Sequence, residues 1–212
     1  MPKMRFIKIT TDVLLALLLL ATLAYPWTGR HIHTWVVYAW AFVVLLHAVW
    51  NRGWYASLWR GSYSPRCILT VVLALLLWTA AVGALASGVV LAHFRHAVGS
   101  ALWWRQLHIG SAYWLLVLCG LHAGLHLEAW AAPLRQKAFF NKIKKILALA
   151  AWAAAAGGLW ACWRLHIGQV LWFSASFSAD GGTWYYLALQ TAGVFWLCAF
   201  AAHILTRRVL CK

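Results

Sequence analysis

Acidic residues are almost missing: 212 residues contain only Asp12, Glu128 and Asp180, against eighteen Lys and Arg. Catalysis by a carboxylate pair needs one acid and one base side by side, so this chain has almost no material for it, and metal centres built on Asp and Glu are excluded with it. The five cysteines, Cys67, Cys119, Cys162, Cys198 and Cys211, form no CxxC and no CxxCH. Cys-rich zinc or iron–sulfur sites and covalent c-type attachment of haem therefore lack their signatures, and the thiols read as small apolar packers. There is no GxGxxG fingerprint, no serine nucleophile elbow and no phosphate loop, which removes a soluble-type reductase domain and NAD(P)H as direct electron donor.

What the chain has instead is hydrophobic bulk: 65% of its residues are hydrophobic, 10% are charged and the mean hydropathy is +0.75. That composition lies far outside the soluble globular range and marks an all-α integral membrane protein. The formal charge of +15 would suit nucleic acid, but in so apolar a chain basic residues flank membrane spans and meet anionic headgroups. Membrane lipid is the expected partner and nucleic acid is rejected. Apolar runs long enough to span a bilayer lie at about 9–27, 33–50, 67–92, 107–127, 146–163 and 184–205. The first reads as a retained span, because no small-residue cleavage site follows it.

Alternating the six spans from an inside amino terminus places Lys3, Arg5, Lys8, Arg52, Arg60, Arg66, Arg135, Lys137, Lys142, Lys144, Lys145, Arg207, Arg208 and Lys212 on the inner side. Only Arg30, Arg95, Arg105 and Arg164 remain outside, so the positive-inside rule predicts both termini in the cytoplasm. Tryptophan is abundant, with Trp27, Trp50, Trp54, Trp59, Trp103, Trp104, Trp130, Trp163 and Trp184 near span ends, as interfacial belts require. The Ala-rich stretch 147–158 and the Ala84/Gly88 pair should let neighbouring helices approach closely, with no chemistry implied. The segment 164–183, with Leu171, Trp172, Phe173 and Phe177 on a polar background, is expected on the membrane surface. Its end, Asp180-Gly181-Gly182-Thr183, reads as a turn.

Ten histidines carry the functional signal, since an ionisable side chain within a span is costly and marks a site by default. His33 and His47 are separated by 14 positions on span two, and so are His108 and His122 on span four. On an α-helix that spacing advances about 21 Å and falls about 40° short of four full turns, so each pair shares one helix face. The two spans run in the same direction, which brings His33 level with His108 near the outer surface and His47 level with His122 near the inner one. Two facing imidazoles are what a six-coordinate haem needs, and two such pairs imply two haems. With both axial positions filled, the iron offers no site to oxygen or substrate, and electron transfer is favoured over chemistry at the metal.

A weak repeat supports this pattern: HTWVVYAWAFVVLLH aligns with HIGSAYWLLVLCGLH at an offset of 75, matching Tyr38 to Tyr113 and Leu46-His47-Ala48 to Leu121-His122-Ala123. Spans one to four thus read as two parallel helix hairpins. His126 lies one turn beyond His122 and about 40° further round. It is the alternative inner ligand, otherwise a residue behind the ligand or facing the headgroups. His31, His93, His96, His166 and His203 read as interfacial residues. Arg30 and Arg105 outside, and Arg52 inside, are the candidates for pairing with haem propionates.

These residues resemble a family, the flavinylation-associated cytochromes, small bacterial membrane proteins with four core helices. The resemblance covers about residues 5–130 and rests on His33, on His47-x-x-x-Asn51-Arg52-x-Trp54, and on Leu107-His108 with His122-x-x-x-His126. The ligand spacing is also similar to that of the larger cytochrome b proteins and ferric-reductase-type cytochromes. The resemblance implies haem b in the bacterial inner membrane, passing electrons between an inner quinol or reductase and a flavin or haem carrier outside. Residues 1–130 would form the four-helix di-haem core. Residues 131–212 would add a basic loop, two further spans expected to dock a partner subunit, and the outer amphipathic loop. Quinone is a further candidate cofactor. An electron-transfer subunit is thus expected ahead of a stand-alone enzyme. The competing readings are a quinol or ferric-ion oxidoreductase with its own pocket near His93, His96 or His203, and a haem-free transporter or scaffold.

Overall fold

A computed structural model describes residues 2–59, 64–93, 101–135, 138–174 and 184–207. Its elements are α1 (Pro2–Leu23), α2 (Tyr25–Trp50), α3 (Arg52–Ser57), α4 (Pro65–His93), α5 (Ala101–Arg135), α6 (Ala138–Arg164), α7 (Ile167–Leu171) and α8 (Trp184–Leu205). Six of them, α1, α2, α4, α5, α6 and α8, are long and apolar enough to cross a membrane, so the chain is a multi-pass all-α membrane protein. Of the residues singled out by sequence, Arg60, Arg95, His96, Lys137, Phe177, the 180–183 turn, Arg208, Cys211 and Lys212 lie outside the described residues, as do the side chains of Lys3 and Trp184.

The α1–α2 corner shows how local sequence fixes geometry. Pro26 sits in the first turn of α2, where its missing N–H leaves no bond unmade. Gly29 then takes φ 68° and ψ 176°, a left-handed backbone that a side chain would resist. The regular part of α2 therefore starts just before His33 and aims it back over the end of α1.

The two expected hairpins, α1–α2 and α4–α5, both form. Helix α5 is the hub, flanked along its length by α4 and α8, with α7 on one half and α1 alongside. Helix α2 packs on α1 and on the short α3, and makes no extended backbone contact with α4, α5 or α8. The internal repeat is thus geometric rather than environmental: Tyr113 is buried at 3% exposure, while its match Tyr38 is 59% exposed.

The second half of the chain packs closely on the first. Helix α8 lies directly against α5. A Cβ at Gly120 would come within 2.6 Å of the Phe195 carbonyl oxygen, and one at Gly124 would strike the Ala199 carbonyl. Helix α6 reaches α8 the same way, through Gly158 on Gly193, which bears out the close approach expected of the 147–158 stretch. The segment after α6 packs back on the bundle along one side. Ile167 and Val170 are buried with Tyr113, Leu116 and Leu165, the Trp114 indole N–H donates to the Leu171 carbonyl at 3.0 Å, and the Phe173 ring covers Gly110. Trp172, 84% exposed, projects outward.

Candidate functional site

The pair at the end of the bundle away from the start of α1 is assembled from four helices, α1, α2, α4 and α5. His33 on α2 and His108 on α5 face each other with ring centroids 6.1 Å apart and planes at 77°. The Nδ1 of His33 lies 3.0 Å from the carbonyl oxygen of Thr22, and that of His108 lies 2.8 Å from the carbonyl of Ala84. A carbonyl only accepts, so each Nδ1 carries the proton and each Nε2 keeps a free lone pair. Tyr25 meets the His33 ring edge-on at 5.1 Å.

His108 is seated by small residues. The buried Ser87 hydroxyl donates to Gly83 at 2.5 Å and to Ala84 at 3.1 Å, and a Cβ on Gly88 would lie 3.0 Å from Cε1 of the His108 ring. The Ala84/Gly88 pair, expected to serve helix packing alone, therefore forms the seat of an imidazole. Gly88→Val should tilt this ring and loosen whatever its Nε2 holds. The expected result is at least a tenfold weaker hold on that ligand, in the range of perturbed supporting groups, read by ligand retention during purification.

At the basic end, where α1 begins, a cavity of about 760 Å³ occupies the space between α2 and its neighbours. His47, His122 and His126 all line it, with Asp12, Asn51 and Lys8. Asp12 Oδ1 lies 2.8 Å from His47 Nδ1 but is off the N–H axis and has no in-line donor, so the contact is chiefly one of charge. The Asn51 amide stands 3.3 Å from His47 Nε2 and also donates to the His47 carbonyl at 2.9 Å. The Lys8 ammonium donates to Asn51 Oδ1 at 3.1 Å. For His47 to bind a ligand through Nε2, only the Asn51 amide has to turn aside.

The His122 Nδ1 is buried without a hydrogen-bond partner. Such orphaned atoms are uncommon in folded proteins, and here it belongs to a ring lining a cavity. His126 packs 5.0 Å from the His122 ring and lines the same space. Both remain candidates on α5 opposite His47. His122→Ala and His126→Ala should separate them, the true ligand position losing the bound group and the other retaining it.

The expected anion partners are only partly placed at the sites. Arg30 donates to the Ala92 carbonyl at 3.1 Å, joining α2 to the far end of α4. Arg105 is exposed on α5, and Arg52 is exposed at the start of α3. Arg52 is absent from the cavity wall, which carries Arg5 and Lys8 instead; Arg5 also donates to the Ala129 carbonyl. In the sequence Arg5 and Lys8 look like any other flanking charges. Asp12 is different, because a lone carboxylate inside an apolar run is itself a signal.

The remaining histidines stand apart from these pairs. His31 and His93 are exposed, and His166 begins α7 with φ 47°. His203 lies 3.7 Å from Glu128, which also binds Arg135 at 2.7 Å and Arg207 at 3.2 Å, tying the basic ends of α5 and α8. His93 and His203 end different helices at opposite ends of the bundle and share no pocket. Among the described residues no three His, Cys, Asp or Glu side chains converge on one point, so they form no protein-only tetrahedral cage. The pairs offer two donors each. Comparison with protein-family models, curated proteins and solved structures finds no match to this chain.

Proposed function

We propose that the chain is a di-haem b-type membrane cytochrome that carries electrons across the bilayer as a subunit of a larger redox complex, in line with its resemblance to the flavinylation-associated cytochromes. The observation that carries this reading is the His33–His108 pair, two imidazoles facing each other with both Nδ1 atoms tied to carbonyls and both Nε2 atoms free. The centroid separation of 6.1 Å would leave room for a metal ion held by a nitrogen of each ring at about 2.0 Å. At the other level the unfilled space beside α2, with His47 on one wall and His122 and His126 on the other, fits the same kind of group. A pocket of that volume lies within the range of ligand-binding sites.

His33 and His108 would hold the outer haem, and His47 with His122 or His126 the inner one. Haem supplies a one-electron carrier. The chain's residues do the rest: carbonyls fix the tautomer of the outer rings, and Trp40, Leu77 and Leu115 keep water from the inner cavity. Arg5 and Lys8 give anionic propionates a counter-charge at the basic end, as Arg30 does at the other. On this reading the basic end faces the bacterial cytoplasm, as the positive-inside rule favours, and receives electrons from a quinol or reductase. The far end delivers them to an extracytoplasmic flavin or haem protein.

The purified chain should show a reduced-minus-oxidised b-type spectrum with two haems per polypeptide. A preparation handled to retain cofactors but lacking any Soret band would sink this reading in favour of a haem-free transporter or scaffold.

A further inference from the structure

We propose that Asp12 holds the inner imidazole pair at a lower reduction potential than the outer pair, and so makes inner-to-outer the downhill direction for electrons. The inference rests on the di-haem reading above. The observation behind it is an asymmetry between the two levels. Outside, the atoms behind His33 and His108 are neutral carbonyl oxygens of Thr22 and Ala84. Inside, the atom behind His47 belongs to a carboxylate at 2.8 Å.

An anion so close to an axial ligand favours the oxidised iron, which carries one more positive charge than the reduced form. The half-buried setting limits screening. The cations at this level, Lys8, Arg5 and Arg66, act in the opposite sense, but their charged groups are held at Asn51 and at the Ala129 and Leu125 carbonyls, whereas the Asp12 carboxylate meets the His47 ring itself at 2.8 Å. At the outer level the nearest charge placed by a hydrogen bond is Arg30, a cation, which acts in the opposite sense. With haem bound at both levels, one electron would pass from inner iron(II), leaving iron(III), to outer iron(III), giving iron(II). The quinol or reductase then re-reduces the inner centre.

The test is a potentiometric titration of haem absorbance on the detergent-solubilised holoprotein, for wild type, Asp12→Asn and Asp12→Glu, with His108→Ala marking which midpoint belongs to the inner haem. In wild type two midpoints should resolve, and the single haem of His108→Ala should carry the lower one. Asp12→Asn should raise that midpoint by about 59 mV, a tenfold change in a one-electron equilibrium, leave the upper one in place, and be largely rescued by Asp12→Glu. An unmoved lower midpoint with both haems bound overturns the proposal and leaves the di-haem reading standing. Should Asp12→Asn lose its inner haem, His108→Ala decides alone: a remaining haem with the higher midpoint overturns the proposal. A wild type without haem defeats both.

Discussion

His108→Ala is expected to purify with one haem per chain in place of two and to lose electron transfer across the membrane. The seat of this ring is specific, with the Ala84 carbonyl at one edge and Gly88 against its face, so alanine leaves a gap that no neighbouring side chain is placed to fill with a ligand. The fold should survive. Helices α4 and α5 are also joined through Leu73, Ala80, Ala81, Leu115 and Leu118, contacts that the substitution does not touch. The inner level, 14 positions along the same helix, keeps its cavity. In proteoliposomes holding an entrapped oxidant, reduction from the opposite side should fall by more than about a hundredfold, since even supporting residues of metal sites cost 10–100-fold. Retention of both haems with unchanged spectra would show that His108 is not a ligand, and the repeat-based pairing would fall with it.

How much of this was legible in the sequence depends on what each feature needed. The six spans follow from apolar run length, which a bilayer makes nearly decisive. The level of each imidazole followed from spacing on a helix, and the structure brings His33 and His108 together as that spacing required. The partners of the rings were not legible. The carbonyls of Thr22 and Ala84 belong to other helices, and backbone atoms leave no trace in residue type. Asp12 could have been noticed as the sole acid in the first span, but its meeting with His47 needed the hairpin geometry. His122 and His126 stay unresolved because one turn of helix keeps both on the cavity side of α5. The role of α8 was hidden for another reason: Gly120 and Gly124 sit in the same stretch as the ligand candidates, and their GxxxG spacing was overshadowed by the histidines.

That spacing supports the second large effect, a collapse of stability in Gly124→Val. In a membrane, helices gain little from hydrophobic burial against one another and associate through close packing. Here the backbone of α5 at Gly124 touches the Ala199 carbonyl and comes close to the Ala202 methyl of α8, while Gly120 meets Phe195 and Cys198. A carbonyl oxygen inside a helix cannot swing away as a long side chain can, so a valine must push the two helices apart. Overpacking of this kind costs about 1–3 kcal/mol or more, and the loss spreads because α6 is held to the body mainly through α8. The expected result is a fall in thermal midpoint of several degrees or more in detergent, with α6 and α8 becoming accessible to protease before α1 to α5. Gly124→Ala should fall between valine and wild type, since its single methyl already meets the Ala199 carbonyl. Gly157→Ala, where a Cβ meets nothing within 4 Å, should be silent. Equal stability of Gly124→Val and wild type would mean that α8 does not seat on this face of α5.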